Sequence, residues 1–300
     1  MKEQKSFQEL SFADNYMFTR VMQNLNVCRK LLEILLGIKI SKIRVPVSEA
    51  TLDASYKAKS IRLDVRTSDP EHEYDIEMQT TNKRDLPLRA RYYQSLMDIE
   101  ATQRGTKYSN LKQNVVIFIC LNDPFGQEEP IYTFRNMCEE KKDVRYEDKM
   151  IKVFYNCKNC DKIDDGELKA LLSYVATKHA TSSYTRQLEK QVRRLKVTPR
   201  EQLYYDNWLE ITDDMREDAM EEGYREGLEK GMQKGMQKGM QKGMQKGMQE
   251  GLYEGAKNKT IEIALNMYDN GIPVEQIATW VKLSVEEVKQ IRASRQTQFQ

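Results

Sequence analysis

Apolar and polar positions alternate with a period of two through residues 61–80, IRLDVRTSDPEHEYDIEMQT, on both sides of Asp69-Pro70-Glu71-His72. Ile61, Leu63 and Val65 fall on one face of a first strand, and Tyr74, Ile76 and Met78 on one face of a second, which predicts an antiparallel hairpin with one wet face. A turn centred on Pro70-Glu71 sets the register: Arg66 opposite Asp75, Asp64 opposite Glu77, Arg62 opposite Gln79. Upstream, residues 7–37 carry helical spacing, through Met17, Phe18, Val21 and Met22 and then Val27, Leu31, Leu32, Leu35 and Leu36, with Gly37 ending the second of two helices. Residues 38–46 alternate as a strand up to Pro46. Downstream, Asp85 and Pro87 start a helix expected to reach about Arg104 and to stop at Gly105. NVVIFICL, 114–121, is a continuous apolar run, the pattern of a central strand buried on both faces. MIKVFYN at 150–156 adds a strand, and 166–179 a helix. These elements predict an α/β fold over residues 7–180, a mixed sheet with helices on both faces.

The remaining chain has a different pattern. A connector, 181–222, includes a stretch from 186 to 200 with six basic residues and one acid, readable as a solvated face or as a contact for a phosphate backbone. Glycine then recurs at every fourth position from 223 to 255, and GMQK repeats four times from 231 to 246. Each glycine inside a helix costs about 0.8–1 kcal/mol relative to alanine. The methionine row from Met232 to Met248 drifts around the axis, because four residues overshoot a 3.6-residue turn. Lysines at 234, 238, 242 and 246 repel one another four apart. Residues 223–255 are therefore expected to form a weakly helical, length-tolerant spacer; the alternative is a helix that pairs with its own copy, which leaves a homo-oligomer open. Residues 256–300 regain helical patterning, with Ile261, Ala264, Leu265 and Tyr268 on one face, a turn at Asn270-Gly271-Ile272-Pro273, and two short helices around Leu283-Ser284 with Ser284 as N-cap. The tail resembles small helix-turn-helix modules, and equally any little helical bundle.

Composition narrows the partners. The 300 residues carry 48 basic and 46 acidic side chains, so a nucleic-acid surface has to be local. The five cysteines are scattered and no apolar leader precedes the first helix, which predicts a cytoplasmic protein. No run approaches the roughly 18 apolar residues of a membrane span. Cys157 and Cys160 form one CxxC pair, with Cys138 the nearest other thiol in sequence, short of the four ligands of a structural zinc.

The wet face of the hairpin holds the candidate chemistry. Two carboxylates directly opposed across strands have Cβ atoms about 4.5–5.5 Å apart and destabilise the pair. A divalent cation would compensate Asp64 and Glu77, since Mg²⁺ takes one or two carboxylates with waters and phosphates. The other reading is an ordinary solvated face screened by Arg62 and Arg66. Gln79 shares the face of Glu77. Arg89, Arg91, Tyr92, Tyr93 and Gln94 crowd the first turns of the helix beside it, where arginine and aromatic groups can hold phosphates and stack bases, or instead pack and solvate.

IRLDV, DIEMQ, LPLRARYYQS, VVIFICL and MIKVFYN recur in an order that, from about Phe12 to Asn156, resembles the recombination-promoting nuclease and transposase family of the PD-(D/E)XK nuclease superfamily. The resemblance implies a restriction-endonuclease-like fold followed by a helical C-terminal arm. It implies a DNA endonuclease dependent on Mg²⁺, with Mn²⁺ able to substitute, acting in recombination or in a mobile element. Asp64 and Glu77 match the two metal-binding acids, and Gln79 the position where most of the superfamily has lysine. Glu49 matches a further acid that some members supply from the N-terminal region, or is a surface glutamate. Arg89, Arg91 and Gln94 would face DNA. Glutamine at 79 brings no positive charge to the attacking water, which keeps open a catalytically inactive DNA-binding or regulatory protein. A true transposase would need an acid triad that this sequence does not display.

Overall fold

The computed structural model describes residues 5–52, 61–102 and 107–297. Helices α1 (Asn15–Met22) and α2 (Leu25–Leu36) open the chain. Asn24 caps α2 by accepting the Asn26 and Val27 amides, and Gly37 closes it at φ +66°, a conformation glycine adopts without Cβ strain. Strands β1 (Val47–Leu52), β2 (Ile61–Ser68), β3 (His72–Gln79), β4 (Gln113–Cys120), β5 (Ile131–Phe134) and β6 (Met150–Asn156) form one open mixed sheet in the order β1-β2-β3-β4-β6-β5. β3, β4 and β6 run parallel, and the outer pairings are antiparallel. The first strand begins after Pro46 and not before it, because proline lacks the amide a ladder needs and is tolerated at the start of an edge strand.

The crossover from β3 to β4 is α3 (Leu86–Ala101). The described helix ends at Ala101, and the stop expected at Gly105 lies outside the described residues. Period-two alternation divides the core. Tyr74, Ile76 and Met78 of β3 and Val115, Ile117 and Ile119 of β4 pack under α1, α2, α4 (Gly166–Thr177) and α5 (Ser183–Lys196). Val116, Phe118 and Cys120 face the other way, under Leu86, Ala90, Tyr93, Leu96 and Met97 of α3. β4 is thus central and buried on both faces, as its unbroken apolar run predicts.

One expected face does not hold. Val65 packs in the first layer and Leu63 in the second, although two residues apart in one strand. The alternation breaks at Asp64, beside Glu49 of β1, whose backbone is left-handed at φ +55°.

The chain divides into two compact units, 1–210 and 211–300. The first unit runs past the boundary expected at 180, because Tyr184, Leu188 and Val192 of α5 are core residues, as is Tyr205 in the first turns of α6 (Pro199–Asp269). Tyr16 Oη donates to the Glu201 carbonyl at 3.2 Å, and Arg20 holds the Glu201 carboxylate with Nε at 2.8 Å. Glycine repeats and all, α6 continues as one unbroken helix through 223–255, where a weakly helical spacer was expected. Between residues 213 and 259 there is no proline and no β-branched residue, and the positions between the glycines are mostly Met, Gln, Lys and Glu, all good helix formers. At the end of the second unit, α7 (Val274–Val281) and α8 (Val285–Thr297) pack on α6 through Ala264, Ile277, Ala278 and Val288. Ser284 caps α8 with a reciprocal bond to Glu287, as its spacing predicts.

Candidate active site

Asp75, Glu77 and Gln79 project from β3 on the side away from Tyr74, Ile76 and Met78, beneath α3, and all three are buried. The β2–β3 ladder runs from Ser68↔Glu73 to Val65↔Ile76 and includes Arg66↔Asp75, the register read from the turn. Beyond Val65 side chains replace the ladder. The Asp64 amide donates to Glu77 Oε1 at 2.9 Å, and the Met78 amide donates to Asp64 Oδ2 at 2.9 Å. Asn15 of α1 donates to the other oxygen of Asp64. Each acid therefore grips the opposite strand, and the two carboxylates meet at the splay between the strands. Asn15 had no signal in the sequence, since its role depends on where α1 lands.

The screening cation is Arg89, from the first turn of α3. Its Nη2 lies 3.2 Å from Glu77 Oε2 and its Nη1 3.1 Å from Gln79 Oε1. Tyr93 Oη accepts from Nε and Nη2 at 3.0 and 2.6 Å, and the guanidinium lies over the Tyr93 and Phe118 rings. Gln79 spends its amide hydrogens on Thr81, at 2.6 Å to the carbonyl and 3.0 Å to the hydroxyl. Arg62 and Arg66, expected to screen the acids, turn elsewhere: Arg62 pairs with Glu49, and Arg66 with Glu73 and Glu100.

Glu49 stands at the left-handed position of β1, where its carboxylate also accepts from Trp208 Nε1 of α6. Its charge adds to the repulsion felt by Asp64. Arg91 is exposed. Gln94, expected at a DNA surface, is fully buried and donates to the carbonyls of Asn114 and Ile151, both at 3.1 Å. It ties α3 to β4 and β6, and its polarity serves the backbone of the sheet.

Asp75 completes the acidic row on this face of β3. It is 0 % exposed, and among the described residues neither carboxylate oxygen has a hydrogen-bond partner. The signal in the sequence was its spacing, since 75, 77 and 79 share one face at period two. Burial, then repulsion from Asp64, raises its pKa well above the ordinary carboxylate range. Glu77 is raised in the same way, by burial first and then by Asp64 and Asp75, while burial raises Asp64 against the bonds from Met78 and Asn15.

For Asp75 the sign of the pH effect is fixed. The folded chain keeps a proton that the unfolded chain releases above about pH 4, so this contribution to stability is present below that pH and lost as pH rises toward the folded value. Asp75→Asn, which cannot ionise, should unfold at higher temperature than the parent at pH 7.5 in chelator. The two melting curves should converge at pH 4. Equal stability at both pH values would mean that Asp75 is not held protonated by the fold.

Among the described residues, no three or more His, Cys, Asp or Glu side chains gather as a metal cage. A hard divalent cation nevertheless suits this donor set. Three buried carboxylates repel one another, one guanidinium is bonded to one of them, and Mg²⁺ needs only one or two protein carboxylates.

No curated protein and no solved structure matches the chain. The mixed sheet flanked by helices agrees with a match of residues 12–222 to a family model, and the chain belongs to that family, described as PD-(D/E)XK nuclease family transposase.

Proposed function

We propose that this protein is a metal-dependent endonuclease that hydrolyses DNA phosphodiester bonds, acting in the cytoplasm in recombination or in the movement of a mobile element. The observation that carries the reading is the single hydrogen-bonded set joining Asp64, Glu77, Gln79 and Arg89. Asp64 and Glu77 would hold Mg²⁺ or Mn²⁺, and Glu49, next to Asp64 in charge, is the reserve ligand. When bound there, the metal would make a water more acidic and offset charge developing on the phosphate. Arg89 supplies the positive charge that glutamine at 79 does not. Gln79 is a positioning residue, because its amide is spent on Thr81 and its oxygen holds the guanidinium. Tyr93 and Phe118 fix the plane of that guanidinium, aiming its remaining donor capacity at a phosphate. Exposed Arg91, with Lys83 and Arg84 ahead of α3, would meet the DNA backbone on the outer side.

A second reading has one observation in its favour. Arg89 already neutralises Glu77, as it would in a DNA-binding or regulatory protein without catalysis. Incubating supercoiled plasmid with the purified chain and Mg²⁺, Mn²⁺, Ca²⁺ or EDTA separates the two. The nuclease reading expects nicked or linear product with Mg²⁺ or Mn²⁺ and none in EDTA; a shifted but uncut plasmid under every metal would favour the second.

A further inference from the structure

We infer that residues 213–246 of α6 form an antiparallel pair with the same segment of a second copy of this chain. Within this segment charge is segregated into two abutting blocks of equal length. Residues 213–229 hold eight acids and two arginines, and residues 230–246 hold five lysines and no acid. Among the described residues, Lys234, Lys238 and Lys242 have no acidic partner, nor do Glu217 and Glu221 have a basic one. Folding two copies about the junction of Glu229 and Lys230 lays each acidic block along the other copy's lysine block. In that register Lys230, Lys238, Lys242 and Lys246 fall opposite Glu229, Glu221, Glu217 and Asp213. Lys234 falls opposite Arg225. A parallel, unstaggered pair would instead set lysine against lysine along the whole block.

The same register accounts for the glycines. Gly231, Gly235 and Gly239 of one copy come opposite Leu228, Tyr224 and Met220 of the other. These three apolar residues are 64–74 % exposed in the single chain. A Cβ added at any of these glycines would meet nothing within 4 Å. The fold of one chain therefore gives no reason for glycine, while each costs helix stability of about 0.8–1 kcal/mol against alanine. An approaching helix does give a reason, because an apolar knob can sit directly over backbone. The repeat length fits as well. At about 100° per residue, a four-residue row advances by about 40° per repeat in the right-handed sense. Glycine-spaced helix pairs in membranes, where small residues likewise let backbones approach, cross in that same sense at about −40°. The lysine repulsion along one helix and the drift of its methionine row, both awkward for a lone helix, are relieved by a partner that winds with them. The assembly would carry two copies of the acidic site.

Sedimentation velocity on the full chain tests the pairing. The expected result is a monomer–dimer equilibrium that weakens in high salt. Lys238→Glu with Lys242→Glu reverses four pairs per dimer by symmetry and should raise Kd by about tenfold or more. Adding Glu217→Lys and Glu221→Lys should restore it. Gly235→Ala with Gly239→Ala should increase helicity by circular dichroism and yet weaken the dimer. With Cys138 and Cys160 changed to Ser, Glu229→Cys should crosslink to its own copy under oxidation and Lys246→Cys should not. A chain that stays monomeric at every concentration, a dimer indifferent to the charge reversals, or crosslinking through both cysteines would overturn the proposal. So would charge reversals that change only the binding of added duplex DNA, which would assign the lysine row to nucleic acid.

Discussion

Asp64→Asn and Glu77→Gln are each expected to lower plasmid cleavage by about 10³-fold or more, an activation cost of roughly 4 kcal/mol, while the chain stays folded. The amides keep the shape and one acceptor oxygen, so the bonds from Met78 to residue 64 and from the Asp64 amide to residue 77 can persist. Each change removes the negative charge and turns the other oxygen, which accepts from Asn15 at residue 64 and from Arg89 at residue 77, into an amide donor. Calorimetric titration with Mn²⁺ should lose its binding heat in both variants, and melting temperatures should stay within a few degrees of the parent. The same charges predict a pH profile. Burial raises both carboxylates, with repulsion from Asp64 and Asp75 added at Glu77 and from Glu49 at Asp64, so protons compete with the metal in acid, and cleavage should rise with pH through the raised values and then level off. Cleavage at the parental rate in either variant would place the metal elsewhere. A flat profile from mildly acidic to alkaline pH would show that neither acid is protonated before metal binds.

Arg89→Ala should cost about 10²-fold or more in cleavage, within the range for losing one preorganised charge donor at a developing phosphate charge. It also strips Glu77 Oε2 of its partner. The informative comparison is with position 79. Gln79→Lys alone puts a second cation beside the Arg89 guanidinium, 3.1 Å from the present glutamine oxygen, and should therefore slow the enzyme. In the Arg89→Ala background the same lysine restores a single positive charge, and cleavage should recover. Two variants that each lower the rate and together partly cancel give a coupling that independent residues cannot produce. A harmless Arg89→Ala would remove the arginine from the mechanism. Failure of the double variant to recover would show that the cation has to enter from the helix.

The hairpin register from Ser68↔Glu73 to Val65↔Ile76 and the shared face of Glu77 and Gln79 were legible because a strand has a fixed period of two and the Pro70-Glu71 turn sets the offset; the pairs expected at Asp64↔Glu77 and Arg62↔Gln79 were not, because the ladder ends at Val65. The central place of β4 followed from its apolar run, and the end of α2 and the start of α8 from glycine and serine capping chemistry. These are local rules, carried by residues within a few positions of one another. The match of Asp64 and Glu77 to metal-binding acids came through resemblance, since an acidic pair on a strand is equally an ordinary wet face.

Tertiary structure decided what distance along the chain conceals. Arg89 and not Arg62 or Arg66 faces Glu77, because the crossover helix lays its first turn over β3 while the two hairpin arginines find Glu49, Glu73 and Glu100 closer at hand. Among the described residues Asp75 has no bonding partner, because the strand that places Glu77 at the splay places it one pleat deeper, beneath the apolar side of α3. Gln94 satisfies carbonyls of two strands that come together only after folding. Trp208 reaches Glu49 from 159 residues away, and no periodicity encodes a contact of that span. The sequence by itself determined which residues share a face of each element; packing decided which faces meet, because the burial of one apolar layer carries every polar neighbour on the same element to its place.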